Sequence, residues 1–257
     1  MQEDFSIVIP TFNSEKFLKE TLDSIKNQDQ TIKIECIFSD GGSKDETLQI
    51  INKFNQSNIN KKVFFNQIGM SKALNEGFRN SNGKYLTYLN SDDKLAIETL
   101  KIVKENFENN SEIDWIIGNC KNFGEAKWIN KLVNTYKGIL LNKLNFNILS
   151  INNIVPQPSV YWRANFFRNV GNFDEKLKYN MDYDLWLRMI KLSKPKLMNI
   201  NLSYFRRHSG SLSHKNTFKQ FYEKFLTMKK YNKNIFIKLM HIIISSIILS
   251  IYFLSRY

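Results

Sequence analysis

Acidic and amide side chains follow one predicted strand at the point where that strand ends. Residues 85–89 form a short apolar run, and Asn90, Ser91, Asp92 and Asp93 come directly after it. Carboxylate and carbonyl oxygens are the ligands that Mg²⁺ and Mn²⁺ prefer, often one or two carboxylates together with substrate phosphates. The segment therefore predicts a divalent-cation site with Asp92 as first ligand and Asp93 as second, and capping of the next helix is the alternative.

A second acid, Asp40, follows another apolar run, residues 34–38, and precedes Gly41 and Gly42. The two glycines permit positive φ angles and a close approach of a flat ligand. A carboxylate at this position can accept a hydrogen bond from the N–H of a uracil-like ring, and an ordinary turn residue is the alternative. Ser43 is the predicted cap of the helix that follows.

A third acid, Asp182, lies near the start of a predicted amphipathic helix. The helix dipole favours an ionised carboxylate there, which suits a proton acceptor. A first-turn capping acid is the alternative. Trp186 on the same helix is interpreted either as a core residue or as a platform for a ligand.

The elements that must position these acids alternate along the first 120 residues. Apolar runs predict buried strands at residues 6–9, 34–38, 62–65, 85–89 and 114–117. Apolar residues at helical spacing separate them, with Ser14 as the predicted cap of the first helix. This alternation predicts an α/β fold, with a mostly parallel sheet and helices on both faces. Ligands of such sheets bind at the carboxyl ends of the strands, which is where the acids lie.

Beyond residue 119 the pattern is less regular. Periodicity fades between residues 119 and 162, and two short strands are predicted near 197–200 and 203–205. A basic amphipathic helix follows over about 218–228, and residues 239–254 form an almost wholly apolar run. The chain therefore divides into a predicted domain and a helical tail.

Several classes of protein are excluded by missing motifs. The sequence has no Gly-x-Gly-x-x-Gly, no Gly-Lys-Ser/Thr, no Gly-x-Ser-x-Gly and no His/Cys cluster at zinc spacing. Its two cysteines, Cys36 and Cys120, form no disulfide framework and indicate a reducing compartment. A length of 257 residues, 42% of them hydrophobic, suits one domain with an appendage.

The net charge of +13 is distributed unevenly. Of the 37 Lys and Arg residues, eight lie from Lys215 onward, where Glu223 is the only acid. This charge lies beside the apolar segment 239–254 and not on a basic face with interleaved aromatic residues. Nucleic acid is therefore not a predicted partner. The tail predicts association with an anionic membrane surface on the cytoplasmic side, and an oligomer contact is the alternative.

Five motifs in a fixed order resemble the family 2 glycosyltransferases, which have the GT-A fold. They occupy residues 6–13, 40–45, 69–77, 83–93 and 181–188. The resemblance covers roughly residues 5–210, so residues 1–213 are predicted to be the GT-A-like domain and 214–257 the tail. It implies inverting transfer of a sugar from a nucleotide-diphosphate-sugar to a glycan or lipid-linked acceptor in surface polysaccharide assembly, with Mg²⁺ or Mn²⁺ as cofactor. The Gln-x-x-Arg-Trp motif of processive synthases is absent, which favours transfer of a single sugar.

The resemblance also implies a role for each matched residue. The implied donor-binding residues are Pro10, Thr11, Asn13, Asp40, Gly69, Lys72, Asn75, Asn90, Ser91 and Arg206. The implied metal ligands are Asn90, Asp92 and His208, and the implied catalytic base is Asp182. The implied acceptor-side residues are Gln157, Asp184 and Trp186.

Several residues depart from the family pattern: Gly41, Gln67 and Lys72 stand where acids are common, and Asn90 is the departure that affects metal binding. Asn90 stands where the first Asp of the D-x-D motif is expected, so metal binding depends mainly on Asp92. This departure suggests an inactive, membrane-bound nucleotide-sugar-binding protein as an alternative. A sugar nucleotidyltransferase of the same fold is a further alternative, although its glycine-rich phosphate loop is missing.

Overall fold

An eight-stranded sheet runs through the computed structural model, which describes residues 3–65, 69–125, 127–208, 210 and 216–254. Its strands are β1 (Phe5–Thr11), β2 (Ile34–Asp40), β3 (Ile59–Phe64), β4 (Tyr85–Tyr88), β5 (Lys94–Leu95), β6 (Trp115–Gly124), β7 (Val160–Arg163) and β8 (Lys196–Arg207). They lie in the order β3-β2-β1-β4-β7-β6-β8-β5. The first four in this order are parallel, β7 is antiparallel to both neighbours, and β5 is antiparallel to β8. The predicted α/β class is confirmed, with a mixed sheet.

Helices cover both faces of this sheet. They are α1 (Glu15–Lys26), α2 (Thr47–Lys53), α3 (Met70–Arg79), α4 (Thr99–Asn109), α5 (Lys127–Leu141), α6 (Phe146–Ile151), α7 (Ala164–Val170), α8 (Met181–Leu192), α9 (Thr217–Tyr231) and α10 (Ile235–Leu254). Neighbouring residues Ile7 and Val8 of β1 point to opposite faces and belong to separate cores. Ile7 packs with Leu18 of α1, whereas Val8 packs with Leu74 of α3. Burial on both faces explains why β1 and β2 read as continuous apolar runs.

The two predicted caps in the first half of the chain behave differently from the prediction. α2 begins at Thr47, so Ser43 lies outside it and its hydroxyl binds Asp40 instead. Ser14 does precede α1, but its side chain makes no capping bond and pairs with Ser91. Both serines therefore hold loops together at the end of the sheet.

Two further elements, α4 and β8, also differ from the prediction. α4 begins at Thr99, after β5, so residues 91–93 do not cap it. The strands predicted near 197–200 and 203–205 are parts of one strand, β8, whose pairing with β6 shifts register on both sides of Asn119. Such an irregularity interrupts the alternation of side chains between the two faces of the sheet, which is the pattern that identifies a strand in a sequence.

The C-terminal helices pack on the same core as α8. Met228 of α9 and Ile237 of α10 are buried in that core. The tail therefore packs with the helices that cover one face of the sheet. The predicted boundary between residues 213 and 214 lies outside the described residues. Across the part of the chain that the structure describes, no helix is long and apolar enough to cross a membrane.

Candidate functional site

Loops that follow β1, β2 and β4 meet through side-chain hydrogen bonds. Thr11 at the end of β1 donates from Oγ1 to Asp40 Oδ2 at the end of β2, at 2.8 Å. The hydroxyl oxygens of Ser14 and Ser91 are 2.8 Å apart, which joins the loop after β1 to the loop after β4. The structure thus brings three of the predicted segments together at the carboxyl edge of the parallel strands.

The Asp40 carboxylate is buried and is occupied by its own loop. Oδ1 accepts hydrogen bonds from the backbone N–H groups of Gly42 and Ser43, at 2.8 and 2.7 Å, and Oδ2 accepts from Ser43 Oγ at 2.6 Å as well as from Thr11. Burial alone would raise the pKa of Asp40, but these bonds outweigh it and hold the pKa below its usual range. A carboxylate has about four acceptor positions. Asp40 is therefore an organiser of the loop here, and it has no acceptor position left for the nucleobase it is predicted to read.

The end of β1 presents an uncovered aromatic ring beside the predicted donor residues. Pro10 and Thr11 are buried, whereas Phe12 is 64% exposed. Asn13 has a φ of 48°, and its Oδ1 accepts a hydrogen bond from the backbone N–H of Lys44 at 2.9 Å. Phe12 was not among the predicted site residues, although an aromatic residue between two polar loop residues is a signal for stacking of a planar ring.

Asp92 and His208 form the most direct contact between predicted metal ligands. Asp92 Oδ2 and His208 Nε2 are 2.9 Å apart, and both side chains are partly exposed. The His208 ring packs edge-on against Phe17, with ring centroids 4.9 Å apart. A loop after β4 and a loop after β8 therefore contribute to one polar centre.

This pair fits a divalent cation. Neighbouring ligand atoms of an octahedral Mg²⁺ lie about 3.0 Å apart, given metal–oxygen distances of about 2.1 Å, and the Asp92–His208 separation is 2.9 Å. Among the described residues, no group of three or more His, Cys, Asp and Glu side chains could hold a metal ion. Substrate phosphates and water would have to supply the other ligands, as is common for Mg²⁺.

Asn90 lies beside this pair with one free oxygen. Its Nδ2 donates to Asp93 Oδ2 at 3.1 Å and to Gln157 Oε1 at 3.2 Å. Gln157 in turn donates to the backbone carbonyl of Tyr88 at 2.8 Å, which fixes it against the end of β4. Within the described chain, Asn90 Oδ1 is buried and has no hydrogen-bond partner. An unpartnered buried acceptor of this kind suits a cation or a ligand hydroxyl.

Arg206 holds the loop after β4 in place. Its backbone N–H donates to Asp93 Oδ1 at 2.9 Å, and its Nη2 donates to Glu20 at 2.8 Å. Its guanidinium lies over two rings, 4.3 Å from the Phe17 centroid and 4.5 Å from that of Phe123. Arg206 therefore positions this loop through its backbone N–H, Nε and Nη2, and its contact with the donor stays a prediction.

Asp182 lies in the first turn of α8, partly exposed. Burial raises its pKa, and a 2.7 Å hydrogen bond from the Tyr183 N–H and the nearby Lys137 ammonium offset this only in part. The predicted stabilisation of the ionised form by the helix dipole is thus outweighed by burial. Burial also raises the pKa of Tyr88, the last residue of β4, and the charges of Asp182 and Asp93 raise it further. Asp182 is therefore within electrostatic reach of the loop after β4.

The predicted residues of α3 divide into exposed and buried groups. Gly69, with a φ of +100°, and Lys72 are exposed at the start of the helix. Asn75 is buried; its Nδ2 donates to the carbonyl of Phe173 at 3.0 Å and its Oδ1 accepts from the Phe173 N–H at 2.9 Å. Contrary to its predicted donor-binding role, Asn75 fastens α3 to the loop after α7.

Two predicted acceptor-side residues are buried structural groups. Asp184 is 1% exposed and accepts hydrogen bonds from Arg188 Nε at 2.9 Å and from the Tyr231 hydroxyl at 2.7 Å, which joins α8 to α9. Trp186 is fully buried and stacks on Trp115 with centroids 6.2 Å apart. Of the two alternatives for Trp186, a core residue or a platform for a ligand, the structure shows the core residue. Because both side chains are buried, neither Asp184 nor Trp186 can contact an acceptor.

Two lysines near Asp182 were missed by the sequence reasoning. Burial and, less strongly, the charge of Lys137 on α5 lower the pKa of Lys224 on α9 to about 7. Lys224 carried a signal: it lies on the apolar face of its helix, between Phe221 and Met228. A lysine on an apolar stripe is a residue that needs an explanation.

Comparisons with known proteins agree with this architecture. Residues 6–174 match the model of the family described as Glycosyl transferase family 2. An uncharacterized glycosyltransferase of Rickettsia conorii is 29% identical over 196 residues, which cover 73% of this chain and 31% of that protein. TarS of Staphylococcus aureus, a poly(ribitol-phosphate) beta-N-acetylglucosaminyltransferase, is 37% identical over 101 residues, which cover 38% of this chain and 18% of that protein. The chain thus spans a third or less of these two relatives.

Solved structures show the same fold. The structure of S. aureus TarS 1-349 in complex with UDP-GlcNAc superposes with a TM-score of 0.69 at 22% identity, covering 87% of this chain and 65% of that one. A mannosyltransferase from Pyrobaculum calidifontis in complex with GDP-Man and Mn²⁺ superposes with a TM-score of 0.62 at 13% identity, covering 94% and 68%. At these identities the likeness shows the fold alone.

Proposed function

Since this chain belongs to glycosyl transferase family 2, we propose that it transfers a single sugar, with inversion, from a nucleotide-diphosphate-sugar to a hydroxyl of a glycan or lipid-linked acceptor. The observation that carries the proposal is the meeting of the loops after β1, β2 and β4 at one edge of the sheet, with Asp92 and His208 in contact there. Asp182 lies within electrostatic reach of the same edge. A metal-and-phosphate centre and a proton acceptor would thus share one cleft.

On the donor side, the exposed Phe12 ring offers a stacking surface for the base, and Asn90 Oδ1 offers an acceptor for a sugar hydroxyl or a cation. Asp92 and His208 are the residues that would hold Mg²⁺ or Mn²⁺. A bound cation there would neutralise negative charge on the diphosphate. Arg206 and Gln157 keep the loop that carries these groups in place.

On the acceptor side, Asp182 takes the proton of the attacking hydroxyl. The oxygen forms a bond to the anomeric carbon from the face opposite the diphosphate, and the bond from that carbon to the diphosphate oxygen breaks. The diphosphate leaves with the electron pair of that bond. No enzyme nucleophile takes part, so one base suffices, and its raised pKa favours proton acceptance.

A uridine diphosphate-sugar is the donor that we propose, because the TarS structure that shares this chain's fold is a complex with UDP-GlcNAc. We expect such a donor, with Mn²⁺, to raise the Tm by about 5–10 °C at about 100 times its Kd. Guanosine and thymidine diphosphate-sugars should give smaller shifts. A thermal-shift panel with and without Mn²⁺ measures this, uridine serving as the control that lacks phosphates. No shift with any nucleotide-sugar would contradict the proposed function.

We further propose that α9 and α10 attach the enzyme to the anionic cytoplasmic face of the cell membrane, where lipid-linked acceptors reside. An exposed apolar stripe supports this, with Leu239, Ile243, Ile247 and Ile251 recurring at every fourth position of α10 at 44–52% exposure. Lys238 precedes the stripe in the sequence and Arg256 follows it, and basic residues of this kind favour binding to anionic bilayer surfaces.

Replacing both Ile243 and Ile247 by serine should weaken binding to phosphatidylglycerol vesicles by about tenfold or more, since each buried isoleucine contributes about 1.5–3 kcal/mol. Co-sedimentation with vesicles measures the change. Ile97→Ser is the matched control, because Ile97 is 79% exposed on a different part of the molecule. If the wild-type chain fails to sediment with the vesicles, membrane attachment is wrong.

A further inference from the structure

Two lysine side chains lie within electrostatic reach of Asp182. Lys224 of α9 is 8% exposed, and its Nζ donates to Asn152 Oδ1. Lys137 of α5 is partly exposed, and the hydroxyl of its neighbour Tyr136 accepts a hydrogen bond from Nδ2 of the same Asn152, at 3.3 Å. In the described part of the chain, neither ammonium group lies within ion-pair distance of a carboxylate. Asn153, the residue after Asn152, has a side-chain hydrogen bond to Asp182. Two lysines from different helices therefore lie near the predicted base, without an ion-pair partner in the described chain.

The position of Lys224 is fixed by its neighbour in the chain. Glu223 accepts hydrogen bonds from the backbone N–H groups of Tyr179 and Asn180, both at 2.8 Å, immediately before α8 begins. This contact fastens α9 to the start of α8, where Asp182 lies. It also occupies the Glu223 carboxylate, which therefore does not neutralise Lys224.

The charged forms of both lysines are disfavoured where they lie. Burial lowers the pKa of Lys224 to about 7, and Lys137 adds to this lowering. Burial also lowers the pKa of Lys137, and Arg207 adds to it. Asp182 acts in the opposite direction on both lysines but does not compensate. Burying cations without a paired anion is unfavourable, so an incoming anion would be bound strongly here.

We propose that Lys137 and Lys224 bind a phosphate group of the acceptor, close to the hydroxyl that Asp182 deprotonates. The inference rests on the proposed function, because that function places the acceptor at Asp182. A phosphate has several strong acceptor oxygens and can bind both ammonium groups at once. A neutral glycan would leave both lysines without an anionic partner. The acceptor class is therefore an alcohol that carries a phosphate ester or phosphodiester.

The test compares binding of glycerol 3-phosphate and glycerol in the presence of saturating UDP and Mn²⁺, which occupy the donor site. By titration calorimetry, glycerol 3-phosphate should bind the wild-type chain and glycerol should not. Lys224→Met and Lys137→Met should each weaken binding of glycerol 3-phosphate by about tenfold or more, the effect of losing a charge-assisted hydrogen bond. Lys219→Met is the matched control, because Lys219 is exposed on the same helix, and it should bind like the wild type.

The outcomes separate this inference from the proposed function. If UDP binds every variant while both lysine variants keep wild-type affinity for glycerol 3-phosphate, the phosphate site is wrong and the transferase proposal stands. If UDP does not bind the wild-type chain, the transferase proposal fails, and binding of glycerol 3-phosphate alone still tests the lysines. A folding defect in one variant leaves the other as the test, since Lys137 and Lys224 lie on different helices.

A lipid headgroup carries the same phosphate chemistry, so vesicle binding is measured in parallel. Because Lys224 is 8% exposed, Lys224→Met should sediment with phosphatidylglycerol vesicles as the wild type does. Loss of vesicle binding with retained affinity for glycerol 3-phosphate would assign the lysine to the membrane and overturn its acceptor role.

Discussion

Replacing Asp182 by asparagine should reduce turnover by about 10²–10⁴-fold, the contribution typical of a general base, while donor affinity stays nearly unchanged. Asparagine keeps the size of the side chain and an oxygen that can accept the Tyr183 N–H, but it cannot take a proton from the acceptor. Release of nucleoside diphosphate during sugar transfer measures turnover, and a thermal-shift titration measures donor binding. Asp23→Asn on the exposed surface of α1 is the matched control.

The pH profile gives a second readout of the same variant. Because burial raises the pKa of Asp182, the carboxylate becomes protonated at a higher pH than an ordinary aspartate does. Wild-type turnover should therefore decline as the pH falls through this raised pKa, and the decline should disappear in Asp182→Asn. Unchanged turnover in the variant would remove Asp182 from the role of base. A variant that also loses donor binding would point to a structural role instead.

The edge of the sheet at which the site lies could be predicted from the sequence. The runs that form β1, β2 and β4 are mostly apolar, which predicts buried parallel strands, and polar residues follow each of them. Parallel strands place their carboxyl ends along one edge whatever the loop details are. The predicted proximity of Asp92 to the first two loops followed from that topology alone.

The roles of individual side chains at that edge could not be predicted as well. Arg206 reaches Glu20, 186 positions earlier in the chain, and Asn75 binds the backbone 98 positions later. Sequence spacing identifies a group that is able to bind a ligand, but it does not show which groups the fold already uses. Asp184 and Asp40 differ from their predicted roles for the same reason.

The lysines around Asp182 escaped prediction for a related reason. Lys137 lies in a stretch whose periodicity is weak, and Lys224 lies in a helix whose charge pattern indicates a membrane-binding tail. Their proximity to Asp182 depends on how α5 and α9 pack on α8, which no local pattern encodes. Only the tertiary structure shows that Lys224 of the basic tail lies within electrostatic reach of Asp182.

Replacing Asp92 by alanine should abolish the effect of Mn²⁺ on donor binding. The change removes the carboxylate whose Oδ2 is 2.9 Å from His208 Nε2. Of the proposed pair of metal ligands, the His208 imidazole then remains alone. Loss of even an outer-sphere partner of a metal commonly costs about 10–100-fold in affinity, so loss of a direct ligand should weaken Mn²⁺-dependent donor binding by at least about tenfold. Calorimetric titration of UDP with and without Mn²⁺ measures the change.

The comparison without metal makes this prediction specific. Asp92 makes few contacts that the fold requires: Arg206 Nε binds its backbone carbonyl, at 3.0 Å, which alanine retains. Metal-free UDP affinity should therefore be similar in the wild type and in Asp92→Ala, and Asp23→Ala should respond to Mn²⁺ as the wild type does. If Mn²⁺ strengthens UDP binding equally in the wild type and in Asp92→Ala, Asp92 is not a ligand. If Mn²⁺ leaves wild-type binding unchanged, the loop after β4 binds the donor without a cation, which the asparagine at position 90 would then explain.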